Sequence, residues 1–271
     1  MAIPLEDNFA DILGKAQRGL KLSDSEIASL AGVEVEAVQR LRAGEYGGEA
    51  GLVAPVLGLN ARALVAIGEN AYAPAEIGAL DGLAQFNTDF DDMKVNAYLV
   101  WDPVSRDAAA FDTGGDCGGM LEHLEAHGLT LRMILLTHTH GDHIYDLDRL
   151  MQRTGAPAYV SSREALEGAK SIEPGREFWL GALRIGARLT WGHSRGGMTY
   201  VVSGLRRPVA VVGDALFAGS MGGGMASYAD ALRTNREEIF SLPDDTIICP
   251  GHGPMTSVAE EKAHNPFFAT G

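Results

Sequence analysis

The stretch LLTHTHGDH, from Leu135 to His143, carries three of the chain's eight histidines and an aspartate within six positions. It follows the apolar run LRMIL, so the spacing predicts a buried β-strand with His138 and His140 at its end. Strand residues two apart point to the same side. Gly141 then breaks the strand and places Asp142 and His143 on the following turn. Four side chains from six residues can therefore surround one small volume.

Imidazole and carboxylate groups are the ligands that suit zinc, iron or manganese. The alternative is that these are ordinary polar residues at a strand end. The spacing HxHxDH arises by chance about once in a few thousand chains of this composition, which favours the metal site. His138, His140, Asp142 and His143 are thus the first candidate ligands.

Three further apolar strands end in a histidine or an aspartate. WGHSRGG places His193 after one strand, VAVVGDALF places Asp214 after the next, and IICPGHGP places His252 after a third. Each alone is more typical of a hydrogen-bonding turn residue. Together they bring the candidates to seven, which is too many for one tetrahedral ion but fits two ions that share a bridging ligand.

Composition limits the classes of function. The chain has 271 residues, a net charge of −14 and a sequence pI of about 4.9. Acidic character disfavours nucleic acid and anionic membranes as partners. Two cysteines imply no disulfide framework. The opening residues lack a signal-peptide pattern, and no apolar run is long enough to span a membrane, so we expect a cytoplasmic protein.

Residues 1–75 and 76–271 differ in the secondary structure that their sequence patterns predict, and we predict a domain boundary between them. The first part is helical, and LSDSEIASLAGVEVEAVQRLRAGEY has helix-turn-helix spacing that resembles repressor-type DNA-binding domains. Residues 1–75 contain six Lys or Arg and ten Asp or Glu, and Glu34 and Glu36 lie at the start of the helix that would read DNA. This charge favours a domain kept for packing, or for a homodimer, over one that binds DNA. The second part alternates strands and helices with glycine-rich strand ends.

The motifs THTHGDH, GHSRGG, GDALF and PGHGP, in this order, resemble those of the metallo-β-lactamase-fold hydrolases. Residues 83 to 271 resemble the hydroxyacylglutathione hydrolase (glyoxalase II) branch and its short bacterial relatives. The resemblance implies an α+β fold, a four-layer αββα sandwich, here preceded by the small all-α domain. It implies that His138, His140 and His193 hold one metal, that Asp142, His143 and His252 hold a second, and that Asp214 bridges them. Asp112, in DTGG, matches an aspartate that orients a ligand from behind.

The implied chemistry is hydrolysis of a small-molecule acyl substrate, a thioester or a related ester or lactone, by a hydroxide bound to two divalent ions. Zinc is the first expectation for these ions, with iron and manganese as alternatives, and Asp142 would also serve catalysis by orienting the hydroxide. Arg195 stands where the branch often has proline, so it is either a clamp for a substrate carboxylate or phosphate, or a solvated rim residue. The alternatives in function are a mononuclear iron oxygenase of persulfides, which resembles this same branch, and a DNA-binding metabolite sensor.

Three other features leave alternatives open. Met221, Met225 and Tyr228 follow Asp214 and form either an apolar wall of the site or part of a plain loop. Tyr145 either faces the site or packs in its helix. Cys249 ends an apolar strand, which favours a buried thiol over a metal ligand.

Overall fold

The computed structural model describes residues 3–269, and the regular secondary structure of its N-terminal part consists of helices. Its helices are α1 (Phe9–Leu20), α2 (Asp24–Ala31), α3 (Val35–Arg42), α4 (Ala50–Val56) and α5 (Ala61–Gly68). Ser23 caps α2 by accepting from the Glu26 N–H while the Glu26 carboxylate accepts from Ser23, a reciprocal pair that fixes the helix start. Gly32 ends the helix in the left-handed conformation. The two helices predicted on either side of this turn are confirmed.

Two six-stranded sheets follow the helical segment. The first runs in the order β1 to β6, and the second runs β12-β11-β10-β9-β8-β7. The strands of the first are β1 (Leu83–Phe90), β2 (Met93–Trp101), β3 (Asp107–Phe111), β4 (Thr130–Leu135), β5 (Ala158–Ser161) and β6 (Lys170–Ile172). Those of the second are β7 (Glu177–Leu180), β8 (Leu183–Leu189), β9 (Met198–Ser203), β10 (Val209–Gly213), β11 (Ile247–Pro250) and β12 (Thr256–Ser257).

Helices cover the outer face of each sheet, and the sheets pack against each other. The covering helices are α6 (Gly118–Ala126), α8 (Leu147–Thr154), α9 (Tyr228–Thr234) and α10 (Val258–His264), and the short helix α7 (Gly141–Ile144) lies at one edge. Between the sheets lies a core that includes Phe111 and Tyr200, whose ring centroids are 5.6 Å apart. A second core joins the first sheet to α6 and α8. The predicted four-layer αββα sandwich is therefore confirmed.

The N-terminal helices share a hydrophobic core with the sandwich. Ile12 and Leu13 of α1 belong to the same buried cluster as Val212 of β10 and Ile248 of β11. Burial of apolar side chains is the main favourable term in folding, so this continuous cluster ties the helical segment to the second sheet. The predicted boundary at residue 75 falls in the extended stretch between α5 and β1; that the two parts are separate domains stays a prediction.

The candidate ligands follow strands that end at one edge of the sandwich. β3 and β4 are parallel, as are β10 and β11, and β8 and β10 are both antiparallel to β9. Because strands of one sheet that run in one direction end at the same edge, the loops after β3 and β4 lie together, as do those after β8, β10 and β11. Contacts between candidate ligands of the two sets of loops show that the two edges meet. The sequence pattern did not predict the short strands β6, β7 and β12, nor the eight-residue strand β1. Within residues 3–269, no helix combines the length and apolar character that a membrane span requires.

A buried carboxyl group, that of Glu261, anchors helix α10 to the loop after β10. It accepts hydrogen bonds from the Thr256 hydroxyl and the Asn265 amide, both at 2.7 Å, and from the Gly219 N–H at 3.0 Å. Burial raises its pKa from 4.5 to about 7. The folded protein therefore binds this proton more tightly than the unfolded chain does.

The Glu261 group predicts a pH-dependent stability. Its protonation stabilises the fold fully below pH 4.5, and this contribution is lost as the pH rises to about 7. Relative to Glu261→Gln, which cannot ionise, the wild type should lose about 3 kcal/mol of unfolding free energy over this range. Urea unfolding of both proteins at pH 5 and pH 8 measures the difference. An equal change in the two proteins would contradict the assignment.

Candidate metal centre

Three histidines and an aspartate form a first ligand group at the common edge of the sheets. The group contains His138 and His140 after β4, His193 after β8 and Asp214 after β10, and each offers one ligand atom within 4.8 Å of the others. The Nδ1 atom of His140 lies 3.0 Å from His138 Nε2 and 3.1 Å from His193 Nε2. Three imidazole nitrogens thus converge on one point, as the sequence predicted.

A second ligand group lies beside the first. Asp142 and His143, on α7, meet His252 from the loop after β11. The Asp142 carboxylate lies 3.2 Å from His252 Nε2 and 3.4 Å from His143 Nε2. The turn at Gly141 therefore separates neighbours in sequence into two groups, with His138 and His140 in one and Asp142 and His143 in the other.

The carboxylate of Asp214 contacts both groups. Its Oδ2 lies 3.4 Å from His193 Nε2 and 3.5 Å from His252 Nε2, and its Oδ1 lies 3.3 Å from His143 Nε2. Oδ2 thus lies between the two groups and Oδ1 faces the second, and a carboxylate that contacts both groups is what a ligand shared by two cations requires. All seven candidate ligands from the sequence are therefore brought together.

The ligand nitrogens are oriented by hydrogen bonds from behind. The Nδ1 atoms of three histidines face fixed oxygens: His193 faces the Gly223 carbonyl at 3.0 Å, His252 the Lys94 carbonyl at 2.6 Å, and His143 the Asp112 carboxylate at 2.9 Å. Each Nδ1–H donates to its oxygen, so Nε2 is the ring nitrogen that faces the other ligands and would bind an ion. Only the Asp112 partner was expected from the sequence. The two carbonyl partners come from the backbone and leave no residue signature.

Asp112 holds two parts of the ligand loop at once. Besides His143, it accepts from the Thr137 N–H and the Thr137 hydroxyl, both at 2.7 Å. The Thr137 hydroxyl in turn lies 3.0 Å from His138 Nδ1. Asp112 is buried and has a φ of 58°, in the left-handed region that aspartate and asparagine tolerate better than most residues. Its position is consistent with the orienting role that the sequence predicts.

Replacing Asp112 by asparagine tests this orienting role. Asparagine keeps the backbone conformation, but it presents one N–H₂ group to donors and removes the negative charge behind His143. We expect the affinity for a divalent ion to fall by about 10- to 100-fold. Competition with a fluorescent chelator measures it. Asp91→Asn, at an exposed aspartate with a φ of 50°, is the matched control; equal affinities in the two variants would argue against the role.

The charges of the site favour a cation. Burial opposes a charged imidazole, yet the carboxylates of Asp214 and Asp112 outweigh it and raise the pKa of His143 to about 10. Asp142 and Asp214 likewise raise the pKa of His252 to about 11 against the effect of burial. In the first group, burial holds the pKa of His138 well below its ordinary value, so this imidazole is neutral and ready to bind an ion.

The donor set and two unpaired atoms fit a pair of divalent ions. His143 Nε2 and Asp214 Oδ1 are fully buried, and neither has a hydrogen-bond partner among the described residues. An unpaired buried polar atom costs about 1–3 kcal/mol, and an ion between these two atoms would satisfy both. Five imidazoles and two carboxylates are a nitrogen and oxygen set that suits zinc and also accepts iron or manganese.

Two further residues fix the ligand loops and escaped the sequence reasoning. Glu164, in the segment after β5, accepts from the Thr139 N–H at 3.2 Å and from the Gly196 N–H at 2.9 Å. It thereby joins the loop that carries His138 and His140 to the loop that carries His193. Asn96, on β2, donates to the Pro250 and Gly253 carbonyls at 3.0 and 2.8 Å, and so holds the loop that carries His252. Neither residue lies in a motif, because their partners are distant in sequence.

The remaining candidates lie outside the ligand groups. Arg195 is exposed and has no ion pair or side-chain hydrogen bond within residues 3–269, so its role as a clamp stays a prediction. Cys249 is a buried thiol, as predicted, and burial raises its pKa. Tyr145 is exposed and packs edge-on against Phe90 at 5.3 Å. In the loop after Asp214, Met225 lines the cavity beside the ligands, whereas Met221 is buried in the core.

Comparison with known proteins agrees with this site. The family model described as the metallo-beta-lactamase superfamily matches residues 91–252. Probable metallo-hydrolase YqgX of Bacillus subtilis is 31% identical over 203 residues, which cover 65% of this chain and 93% of that protein. Hydroxyacylglutathione hydrolase GloC of Haemophilus influenzae is 28% identical over 198 residues, covering 64% and 92% respectively.

A solved structure shares the fold. The crystal structure of ETHE1 from Myxococcus xanthus superposes with a TM-score of 0.59 at 28% identity, over 68% of this chain and 83% of that one. These relatives carry different names, so they support the family rather than one activity within it. The chain belongs to the metallo-beta-lactamase superfamily.

Proposed function

We propose that this protein is a metal-dependent hydrolase that holds two divalent ions and cleaves a thioester or a related acyl ester or lactone. The observation that carries the proposal is the position of Asp214, whose two oxygens lie 3.3–3.5 Å from histidines of both ligand groups. The metallo-hydrolase and hydroxyacylglutathione hydrolase among its relatives support the same reaction class.

Each ligand has a defined place in this proposal. His138, His140 and His193 would hold the first ion, Asp142, His143 and His252 would hold the second, and Asp214 would contribute to both. When bound, the two ions lower the pKa of a water molecule and polarise the substrate carbonyl. The side chain of Asp142 keeps a lowered pKa although burial opposes it, because His252 and His143 lie beside it. It therefore stays ionised and can accept a hydrogen bond from the attacking water.

Zinc is the first choice of ion, with iron and manganese as alternatives. Histidine and aspartate ligands accept all three, and availability as well as geometry decides which is bound. The substrate is a small molecule, because the ligand groups open on a cavity of about 450 Å³, a size typical of small-molecule sites.

A mononuclear iron oxygenase is the second candidate. The first ligand group by itself contains the two histidines and one carboxylate that non-haem iron oxygenases need. The structural similarity to ETHE1 is the comparison that keeps this candidate open. It predicts one iron per chain and oxygen consumption with a persulfide, with Asp142 and His143 dispensable.

Elemental analysis of the purified protein, combined with an activity panel, separates the two candidates. The panel contains thioesters, lactones and a persulfide with an oxygen electrode. Two ions per chain and hydrolysis of an acyl compound support the hydrolase. One iron with oxygen consumption and no hydrolysis would replace it with the oxygenase.

A further inference from the structure

The cavity beside the ligand groups is built partly by the N-terminal helical segment. His193, Asp214 and His252 line one side of it, and Lys15, Arg18 and Gly19 of α1 line another. Phe217 and Met225, from the loop after β10, add apolar surface. A substrate that reaches the ligand groups through this cavity therefore touches α1, although α1 lies outside the residues matched by the family model.

Specific contacts fix α1 against the loop that forms the cavity wall. The Lys15 ammonium pairs with the Asp7 carboxylate and donates to the Met221 carbonyl at 2.9 Å. The Ser220 hydroxyl donates to the same Asp7 carboxylate at 2.5 Å. Lys15 also lies 5.0 Å above the centre of the Phe217 ring. The ammonium of Lys15 is thus fully engaged in joining α1 to the sandwich.

Close packing without a side chain adds to this attachment. Gly19 of α1 lies against the ring of Tyr228, and a Cβ at residue 19 would be only 2.2 Å from the Tyr228 Cγ atom. The helix can approach α9 this closely only because residue 19 is glycine. The position of α1 beside the cavity is therefore set by packing as well as by charge.

Arg18 is the cationic residue of this wall that lacks a partner. It is exposed, and within residues 3–269 it has no acidic side chain at ion-pair distance and no side-chain hydrogen bond. Its Nη1 lies 3.0 Å from where a Cβ of Gly14 would stand, and the Nε atom of Arg42 lies 3.7 Å from the same point, so the side chain beside it there is a second cation that does not neutralise it. A guanidinium binds carboxylate or phosphate through two parallel hydrogen bonds.

Glu6, the acidic residue of the cavity lining that is not a candidate ligand, lies towards the ligand groups. The backbone N–H of Glu6 is 3.1 Å from the Cβ position of Gly253, the neighbour of His252, and Glu6 lines the same cavity. Negative charge and ligand side chains therefore lie on one side, and the free positive charge of Arg18 lies on the α1 side. This separation favours a ligand with its reacting group at the ions and an anionic group at α1.

We propose that α1 is a substrate-binding wall of the active site and that Arg18 binds an anionic group, a carboxylate or phosphate, of the acyl substrate away from the bond that is cleaved. The proposal rests on the proposed hydrolase function and names the class of its substrate. It assigns the anion-binding role to Arg18 rather than to Arg195, which does not line this cavity. It also gives the helical segment a role in the reaction rather than in DNA binding.

Kinetics with matched substrates test the proposal. The substrates are the S-acetyl thioesters of 6-mercaptohexanoate, 6-mercaptohexyl phosphate and the neutral 6-mercaptohexanol. We expect Arg18→Ala to lower kcat/KM by about 10-fold or more, mainly through KM, for whichever anionic thioester the wild type prefers. For the neutral thioester, kcat/KM should stay within about twofold of the wild-type value. Arg18→Lys should keep part of the preference. Arg62→Ala, at an exposed arginine of α5 that does not line the cavity, is the control and should match the wild type.

A binding measurement separates failure of this proposal from failure of the proposed function. Isothermal titration with the non-hydrolysable thioethers 6-(methylthio)hexanoate, 6-(methylthio)hexyl phosphate and 6-(methylthio)hexanol needs no turnover. If one anionic thioether binds more tightly than the neutral one, and Arg18→Ala loses this difference, the role of Arg18 is supported even if no thioester is hydrolysed. Hydrolysis with no preference for an anionic substrate, or a preference that persists in Arg18→Ala, overturns the proposed role of α1 and Arg18. The proposed hydrolase function would still stand.

Discussion

Asp214→Asn is expected to lower the metal content from two ions per chain to one or none and to lower hydrolysis by about 1000-fold or more. The change removes one negative charge and replaces an oxygen that faces one ligand group with an amide N–H₂. Asp214 lies 3.3 Å from His143 Nε2 on one side and 3.4 Å from His193 Nε2 on the other. Loss of a shared ligand therefore affects both groups, and catalysis by two ions fails without either.

Asparagine is chosen because it keeps the size of the side chain. The buried volume around residue 214 then changes little, so loss of metal can be distinguished from loss of the fold. Mass spectrometry of the metals, kcat/KM on the best thioester and urea unfolding are measured together. Asp245→Asn, at an exposed aspartate, is the control. If the Asp214→Asn variant retained two ions and wild-type turnover, Asp214 would not be the bridging ligand.

Gly251→Ala is expected to abolish metal binding by filling the site with one methyl group. A Cβ at residue 251 would lie 2.2 Å from Asp214 Oδ1 and 2.6 Å from His143 Cε1. Asp214 contacts both ligand groups and His143 belongs to the second, so the added methyl group would displace ligand atoms of the site. The backbone at residue 251 has no positive φ, so alanine adds no backbone strain and its effect comes from the collision.

The expected result is loss of at least one ion, turnover below about 1% of wild type, and destabilisation by about 1–3 kcal/mol from overpacking. Gly186→Ala, in β8, is the matched control, because a Cβ there meets nothing within 4 Å. It should behave as wild type in metal content, turnover and unfolding. Full metal occupancy in Gly251→Ala would mean that the ligands of the second group do not bind an ion in the arrangement described.

Local spacing made much of the site predictable. His138 and His140 are two apart at the end of a strand, and their convergence follows from strand geometry. His193, Asp214 and His252 were found because each follows an apolar strand, although only the family resemblance indicated that the two sheets bring these strand ends to one edge. The division of the seven ligands into two groups also came from the resemblance, and the distances now agree with it.

The rest depended on contacts between distant segments. Glu164 lies 32 residues from Gly196, and Asn96 lies 154 residues from Pro250, so no local pattern pairs them. The difference in texture near residue 75 separated the helices from the sandwich in sequence. It did not reveal that Lys15, Arg18 and Gly19 line the cavity beside the ligand groups. A charge count describes the average over a whole segment, whereas only the few residues on one face of α1 line the cavity.

Anomalous diffraction from a crystal of the protein loaded with zinc tests the central claim most directly. The account predicts two peaks per chain at the zinc absorption edge. One should lie among His138, His140 and His193, the other among Asp142, His143 and His252, and each should lie within bonding distance of an oxygen of Asp214. A single peak away from these groups, or no peak in a folded protein soaked in excess zinc, would contradict it.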